Sequence, residues 1–322
     1  MKQAAAMRKR IAMTGATGFA GKPILKALSA AGHDLRVLVR TPRAGQFAEG
    51  THVVAGDLEN TAALQAITEG ADCVVHVAGA ISALSDADYF LVNATGTQKL
   101  FEAALSAGVK RFIYVSSITA RMPDISAYAR SKRAAEDYLL HSKSDMDVVI
   151  LRASAIYGPG DKATLPLLAA LQKRVALMPG KSAARFSLVH VADFAAVVVS
   201  AVTSKAQGVF EIDDCAGGHD WAELAALNLK LTGLPQHLTF LPKPLVSLVA
   251  MGAEIGAYVT GQSGMVNRGK VRELYHNDWV VRGANWPRDN PIALATGLAE
   301  TLAWYRQEGW LPPLKPNRKT AA

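Results

Sequence analysis

Tyr128 and Lys132 stand four residues apart in a helical segment that follows Ser116-Ser117. At that spacing both side chains project from one face of a helix. A phenol near pKa ~10 is a poor base at neutral pH. A neighbouring ammonium favours the phenolate, and a lowering of about 3 units corresponds to ~4 kcal/mol of differential stabilisation. Tyr128 can then give or take a proton at an oxygen being reduced or oxidised. Ser117, at a strand end, can hydrogen-bond that oxygen and stabilise its developing charge. A Tyr-x-x-x-Lys pair also occurs by chance in ordinary helices, so its meaning depends on what the chain places beside it.

The segment Thr14-Gly-Ala-Thr-Gly-Phe-Ala-Gly21 follows a strand and opens a helix. Gly15 permits a tight turn, Gly18 lets the backbone approach a pyrophosphate, and Gly21 allows close helix–strand packing. The helix N-terminus adds amide donors and a favourable dipole. Glycines serve plain turns too, but this position after the first strand favours a dinucleotide site that includes Thr17 and Phe19. An oxidised nicotinamide there would reinforce the phenolate of Tyr128, and Lys132 would hold the nicotinamide ribose.

The second strand ends Val37-Leu-Val-Arg40-Thr-Pro-Arg43, with arginines where an NAD-selective enzyme places a carboxylate. A guanidinium can clamp a 2′-phosphate, so NADP(H) is favoured over NAD(H), against the alternative of a solvated loop arginine. Gly56-Asp57-Leu58 follows the third strand; Asp57 either accepts from an adenine amino group or caps the next helix. Val77-Ala78-Gly79 follows the fourth strand and either lets a cofactor lie on its backbone or is a simple glycine turn.

These groups need elements to hold them. Strands are expected at Arg10–Thr14, Asp34–Val39, His52–Ala55, Cys73–Val77, Arg111–Ser116, Asp147–Arg152 and Val209–Asp213. Helices are expected near 19–31, 60–69, 88–107, 126–142 and 190–203. Runs such as Cys73-Val-Val-His-Val suit strands buried on both faces. The alternation predicts an α/β fold, a doubly wound parallel (Rossmann) sheet with its site along the strand C-termini. Residues 7–156 plus 189–215 form the expected dinucleotide-binding domain. Residues 157–188 plus 216–322, less regular and rich in proline, form a smaller, mostly C-terminal substrate lobe. Within it, the apolar 245–258 stretch reads as a buried helix, with an apolar-substrate wall or a membrane-touching surface as alternatives.

The 322 residues carry a net charge of +8 and half are hydrophobic, which excludes intrinsic disorder. Seven of the excess charges lie in residues 1–10 and 311–322; the body between holds 28 basic and 27 acidic residues. That balance excludes an electrostatic groove for nucleic acid. Two cysteines, Cys73 and Cys215, cannot build a disulfide framework, and a cytoplasmic location is expected. No run reaches the ~18 apolar residues of a membrane span. The N-terminus lacks the apolar core of a secretory signal. Met7 could serve as the start, and residues 1–6 are expected to carry no structure. Histidine spacing gives no metal site; His76 reads as a hydrogen-bonded core residue, His190 as a helix-orienting one and Asp213-Asp214 as turn chemistry.

Taken together the chain resembles the extended short-chain dehydrogenase/reductases, the NAD-dependent epimerase/dehydratase family. Further matching segments are Asn93-Ala-Thr-Gly-Thr97, Leu151-Arg-Ala-Ser-Ala-Ile-Tyr-Gly-Pro-Gly-Asp161 and Arg185-Phe-Ser-Leu-Val-His190-Val-Ala-Asp193. The resemblance places the family's catalytic Ser, Tyr and Lys on Ser117, Tyr128 and Lys132. It places the cofactor loop after the sixth strand on Ala153 to Ile156; members usually have Pro at Ala153, so this loop is expected to be less rigid. Arg40 matches the NADP-phosphate arginine of dihydroflavonol-reductase-like members. Leu241-Pro-Lys-Pro and Gly297 to Trp310 resemble the branch that also holds 3β-hydroxysteroid-dehydrogenase-like members. The resemblance implies an NADP(H)-dependent oxidoreductase interconverting a secondary alcohol and a ketone on a small-molecule substrate, and a homodimer. The rivals are a nucleotide-sugar epimerase or dehydratase, in which Arg185 would serve a nucleotide phosphate, and a non-catalytic dinucleotide-binding sensor or assembly factor.

Overall fold

The computed structural model describes residues 8–264 and 266–314. The expectation for residues 1–6 and most of the basic residues at the two ends lie outside them. In chain order the first half contains β1 (Arg10–Thr14), α1 (Gly21–Ala30), β2 (Asp34–Val39), β3 (His52–Ala55), α2 (Thr61–Thr68), β4 (Cys73–His76), α3 (Asp86–Phe90), α4 (Gly96–Ser106), β5 (Arg111–Ser117), α5 (Ala127–His141) and β6 (Asp147–Ala153). After β6 come β7 (Ala155–Tyr157), α6 (Leu165–Ala170), β8 (Val175–Met178), β9 (Arg185–Phe186), β10 (Leu188–His190), α7 (Val191–Thr203) and β11 (Gly208–Ile212).

Seven parallel strands form one sheet in the order β11-β6-β5-β4-β1-β2-β3. The central strands are buried on both faces: Ile11, Met13, Val75, Ile113, Val149 and Leu151 pack beneath α1 and α7. Ala12, Val74, Phe112, Tyr114 and Ile150 pack beneath α2, α4 and α5 on the other face. This is the doubly wound α/β arrangement, and its strand order reverses between β1 and β4, where a crevice opens at the strand C-termini.

The expected single helix over 88–107 is two helices joined by one wide π-turn, Leu91–Thr95. Such turns re-aim a side chain, and this one carries Asn93, which is discussed below. A second core joins Tyr157, Leu168, Met178, Trp221, Leu298 and Tyr305. It is built from pieces after Tyr157 together with α8 (Trp221–Thr232) and α11 (Leu294–Gln307), with short strands β12 (His219–Asp220), β13 (His237–Phe240) and β14 (Asp278–Trp279). α9 (Lys243–Thr260) and α10 (Arg268–Leu274) form a hairpin beside it.

One expectation fails here. α9 is not a buried helix: Ala250 is its one buried residue, and Leu248, Ile255, Tyr258 and Val259 face outward. The segment after β6 is paired: Ala153 ends the β6 ladder opposite Ile212 and Ser117, Ser154 donates its N–H to Ile212, and β7 pairs with β10. Among the described residues, no helix is long and apolar enough to cross a membrane.

Candidate active site

The turn after β1 is built around positions that cannot carry a side chain. Gly15 has φ +76, and a Cβ there would lie 2.5 Å from the Ala78 backbone nitrogen. A Cβ on Gly21 would lie 1.9 Å from the Gly15 carbonyl oxygen. The Gly18 N–H donates back to that carbonyl at 3.0 Å. α1 then starts at Gly21 with no side-chain cap and no acid in its first turn, whereas α2, α5, α8 and α10 are all capped by Asn, Ser or Asp side chains. An uncapped N-terminus leaves amide donors and a positive dipole end for an anion. Thr17 and Gly18 are exposed there and Phe19 is half-buried. The cradle therefore fits a dinucleotide pyrophosphate.

The neighbouring strand ends complete the crevice. Arg40 stands exposed just past β2 and makes no ion pair among the described residues. Asp57 accepts from the N–H groups of Glu59 and Asn60 at 3.0 and 3.2 Å. The cap of α2 is Asn60, which accepts from Ala63, so Asp57 does not cap it. Leu58 is buried against Gly96. Val77, Ala78 and Gly79 follow β4; a Cβ on Gly79 would stand 3.1 Å from Asn93 Oδ1 and 3.8 Å from Lys132 Nζ. Ile156 packs beside the sheet core.

A buried polar chain ties β1, β4 and α4 together. Thr97 donates to the Asn93 carbonyl at 2.6 Å, so its oxygen accepts from His76 Nε2–H at 2.9 Å. His76 Nδ1 then accepts from Thr14 Oγ1 at 2.6 Å. Burial lowers the imidazole to about 3, which keeps it neutral in this tautomer. His76 is the hydrogen-bonded core residue that the sequence suggested. Asn93 itself spans the crevice: Oδ1 accepts from Ala80 N–H, and Nδ2 donates to the Ala80 carbonyl and to Ser131 Oγ.

Ser117 ends β5 at this edge, and Tyr128 and Lys132 follow one turn apart on α5. Ser117 Oγ accepts from the Thr119 hydroxyl at 3.0 Å, which leaves its own proton free. It lies close enough to the Tyr128 phenol to favour the ionised form. Burial dominates, however, and pushes Tyr128 well above the usual phenol range. This differs from the lowered phenol expected from sequence. The Lys132 ammonium is instead directed to the Val115 carbonyl at 2.7 Å and sits 4.2 Å over the Tyr114 ring. Burial pushes Lys132 down to about 7, with the Glu136 carboxylate pulling the other way. Adjacent Ser116 is not at the crevice; its hydroxyl donates to buried Glu136 at 2.5 Å.

Residues outside the sequence-derived set hold the frame. Ser126 caps α5 and donates to buried Glu273 of α10 at 2.5 Å. Tyr89 meets Tyr128 edge-on at 6.1 Å and accepts from Asn267 at 3.2 Å. Asn93 lay inside a quoted motif, but only the π-turn shows why that asparagine matters. His190 caps α7 from within the core. Asp213 and Asp214 do more than form turns: Asp213 accepts from Ser187 and Asn285, and Asp214 accepts from His219. Arg185 donates to the Gly217 and Gly218 carbonyls.

The glycine cradle, the reversal between β1 and β4, and Ser117, Tyr128 and Lys132 on adjoining β5 and α5 describe one type of enzyme, and the sequence profile of the NAD dependent epimerase/dehydratase family matches residues 11–212. The chain belongs to that family. It is an NAD(P)-dependent enzyme of the extended short-chain dehydrogenase/reductase type, which sets aside the non-catalytic reading. Ceramide reductase of Caulobacter vibrioides (strain NA1000 / CB15N) is 37% identical over 309 residues, covering 94% of this chain and 96% of the relative. UDP-glucose 4-epimerase of Vibrio cholerae is 29% identical over 289 residues, covering 81% and 85%. The enzyme WbmG of Bordetella bronchiseptica, solved with NAD and UDP, shares the fold at a TM-score of 0.71 and 19% identity, covering 94% of this chain and 97% of that one.

Proposed function

We propose that this member of the family is an NADP(H)-dependent ketoreductase acting on an apolar, ceramide-class lipid that carries a ketone. The observation that carries the reading is Tyr128, with Ser117 against its phenol and Lys132 one turn further along α5 beside the Gly79 turn. The full-length likeness to a ceramide reductase supports the substrate class. When bound, the nicotinamide supplies the hydride. Gly15, Thr17, Gly18, Phe19 and Gly21 would receive the pyrophosphate, Asp57 and Leu58 the adenine side, and Arg40 the 2′-phosphate. Val77 to Gly79 and Ala153 to Ile156 would wall the nicotinamide side, and Lys132 would hold its ribose. Residues 7–156 plus 189–215 would thus serve the cofactor, with 157–188 plus 216–322 serving the substrate.

Tyr128 donates its proton to the carbonyl oxygen as that oxygen becomes an alkoxide. Ser117 turns its free proton to the same oxygen and stabilises the charge. A phenol held protonated by burial is the form a reduction consumes, whereas alcohol oxidation at neutral pH would need the phenolate.

Tyr128→Phe is the test. Ketone-dependent NADPH oxidation should fall by about 10²-fold or more, with NADPH affinity retained. Turnover that survives the change removes Tyr128 from the mechanism. Protein that co-purifies with tightly held NAD would instead support the epimerase reading, which the Vibrio cholerae relative favours.

A further inference from the structure

At 1.5 Å per residue the 18 residues of α9 make a rod about 27 Å long. Its inner side rests on α10: Ala250 and Val246 pack with Val271, Leu274 and Tyr275. Its outer half carries Leu245, Leu248, Val249, Ile255, Tyr258 and Val259, of which Tyr258 is 86% and Val259 78% exposed. On a helical wheel no charged residue falls on that half; Lys243 and Glu254 both fall on the other. Gly252 and Gly256 also lie outward, and a Cβ on either would meet nothing. An apolar surface of this extent is a binding surface rather than scattered exposure.

The charge of the hairpin is unbalanced. Glu254 is paired with Arg268 at 2.7 Å, and Glu273 is held by Lys270 at 3.0 Å and by Ser126. Lys243 has no carboxylate partner among the described residues, and Arg272 gives its Nε to the Ile125 carbonyl. The two helices carry four cations against two carboxylates, so the uncharged half-cylinder belongs to a hairpin of net positive charge, which complements an anionic lipid surface.

The face is also continuous with the active-site rim. Ser263, just past α9, lies 3.3 Å from Ser82, in a loop that exposes Ile81 and Leu84. Asn267, at the start of α10, donates to Tyr89, whose ring abuts Tyr128. The structure assigns α9 a role as an interfacial helix. It lies in the surface of an anionic bilayer and sets the mouth of the site against the lipid, so that a water-insoluble substrate reaches Tyr128 from the membrane. The delivery role rests on the lipid-ketoreductase reading above; the lipid contact stands by itself.

The test is flotation of the purified full chain with vesicles of phosphatidylglycerol and phosphatidylcholine, and with phosphatidylcholine alone. The wild type should float with the mixed vesicles and partition about tenfold less to the zwitterionic ones, with binding weakened by added salt. A Leu248→Ser, Ile255→Ser, Val259→Ser triple variant should lose at least about tenfold in partition, because interfacial binding scales with buried apolar area. Its melting curve and its NADPH oxidation with a short water-soluble ketone should match the wild type. A Gly252→Ala, Gly256→Ala variant should float as well as the wild type, since a Cβ on the face obstructs nothing in lipid.

A wild type that stays with the soluble fraction, or a triple variant that floats equally, overturns the proposal. A soluble dimer that either variant converts to monomer, without vesicle binding, assigns the face to a second copy and overturns it too. Vesicle binding with no reduction of any ketone refutes the ketoreductase reading and leaves the lipid contact standing.

Discussion

Replacing Glu136 by Gln separates two jobs that one carboxylate performs. Glu136 is fully buried one turn beyond Lys132. It accepts from Ser116 at 2.5 Å and from Arg152 Nη2 at 2.6 Å and Nε at 3.0 Å. Removing one partner of a buried pair costs about 3–5 kcal/mol. Arg152 keeps Glu211 at 3.5 Å, and Gln keeps the shape and one acceptor, so a loss of roughly 2–3 kcal/mol is expected, or about 3–5 °C in Tm. The second job is electrostatic. Glu136 favours the charged form of Lys132 against the burial that lowers it to about 7. At the ~6 Å typical of an i, i+4 pair and an effective dielectric of about 20, that attraction is ~2–3 kcal/mol, enough to move a titration by about one pH unit or more. In the proposed mechanism Lys132 works as an ammonium, so kcat/KM should fall on an alkaline limb that reports its deprotonation. In Glu136→Gln that limb should shift to lower pH, because the ammonium has lost its support. The assay is NADPH oxidation across pH 5.5–9 beside thermal melts (the pH range is set at about 1.5–2 units around the lysine titration). A lower Tm with an unmoved alkaline limb would refute the electrostatic argument and leave Glu136 a purely structural group.

Gly21→Ala must displace α1 or its turn by more than about 1 Å to clear the Gly15 carbonyl, so NADPH affinity should drop at least tenfold in calorimetric titration, an overpacking effect. Arg40→Ala should weaken NADP(H) and leave NAD(H) nearly unchanged; equal weakening of both would remove the phosphate clamp. His219 lies between Asp214 at 2.6 Å and Glu223 at 2.8 Å, and those partners raise it to about 9 against its burial. A raised histidine contributes stability that is complete below about pH 6.5 and is lost as pH rises through about 9, up to about 3 kcal/mol in all. The Tm gap between wild type and His219→Gln should therefore be wide at pH 6 and close by pH 9.5; a gap constant with pH would show that the pair is not ionic.

The parallel sheet was legible because its strands are buried on both faces. Cys73-Val-Val-His and Val148-Val-Ile-Leu have no polar side to confuse the pattern, and the glycine turn marks where β1 hands over to α1. The outer pieces were not legible. β9, β12 and β14 are two residues each, too short for a period of two to register. The π-turn at Leu91–Thr95 shifts the helix by one residue without altering its apolar spacing, so Asn93 looked like any helical asparagine. α9 was misread for a different reason. An apolar helix facing a core and one facing a partner outside the chain have the same composition, and only the structure shows which side is covered. The Lys132 geometry was also beyond spacing rules, which put it near Tyr128 but could not show it donating a hydrogen bond to the Val115 carbonyl.

α5 is held by two carboxylates, one its own and one from α10. Glu136 fixes its middle to β5 and β6 through Ser116 and Arg152. Glu273 reaches from α10 to Ser126 at its N-terminus, and its charge also disfavours the phenolate of Tyr128. The residue that would move the proton thus sits between a rigid sheet and a helical hairpin whose other side is the exposed face of α9. Any displacement of that hairpin changes the distance from Glu273 to Tyr128, and with it the acidity of the phenol. Drawing Glu273 away makes Tyr128 a stronger acid, the change that proton donation to a reduced carbonyl requires.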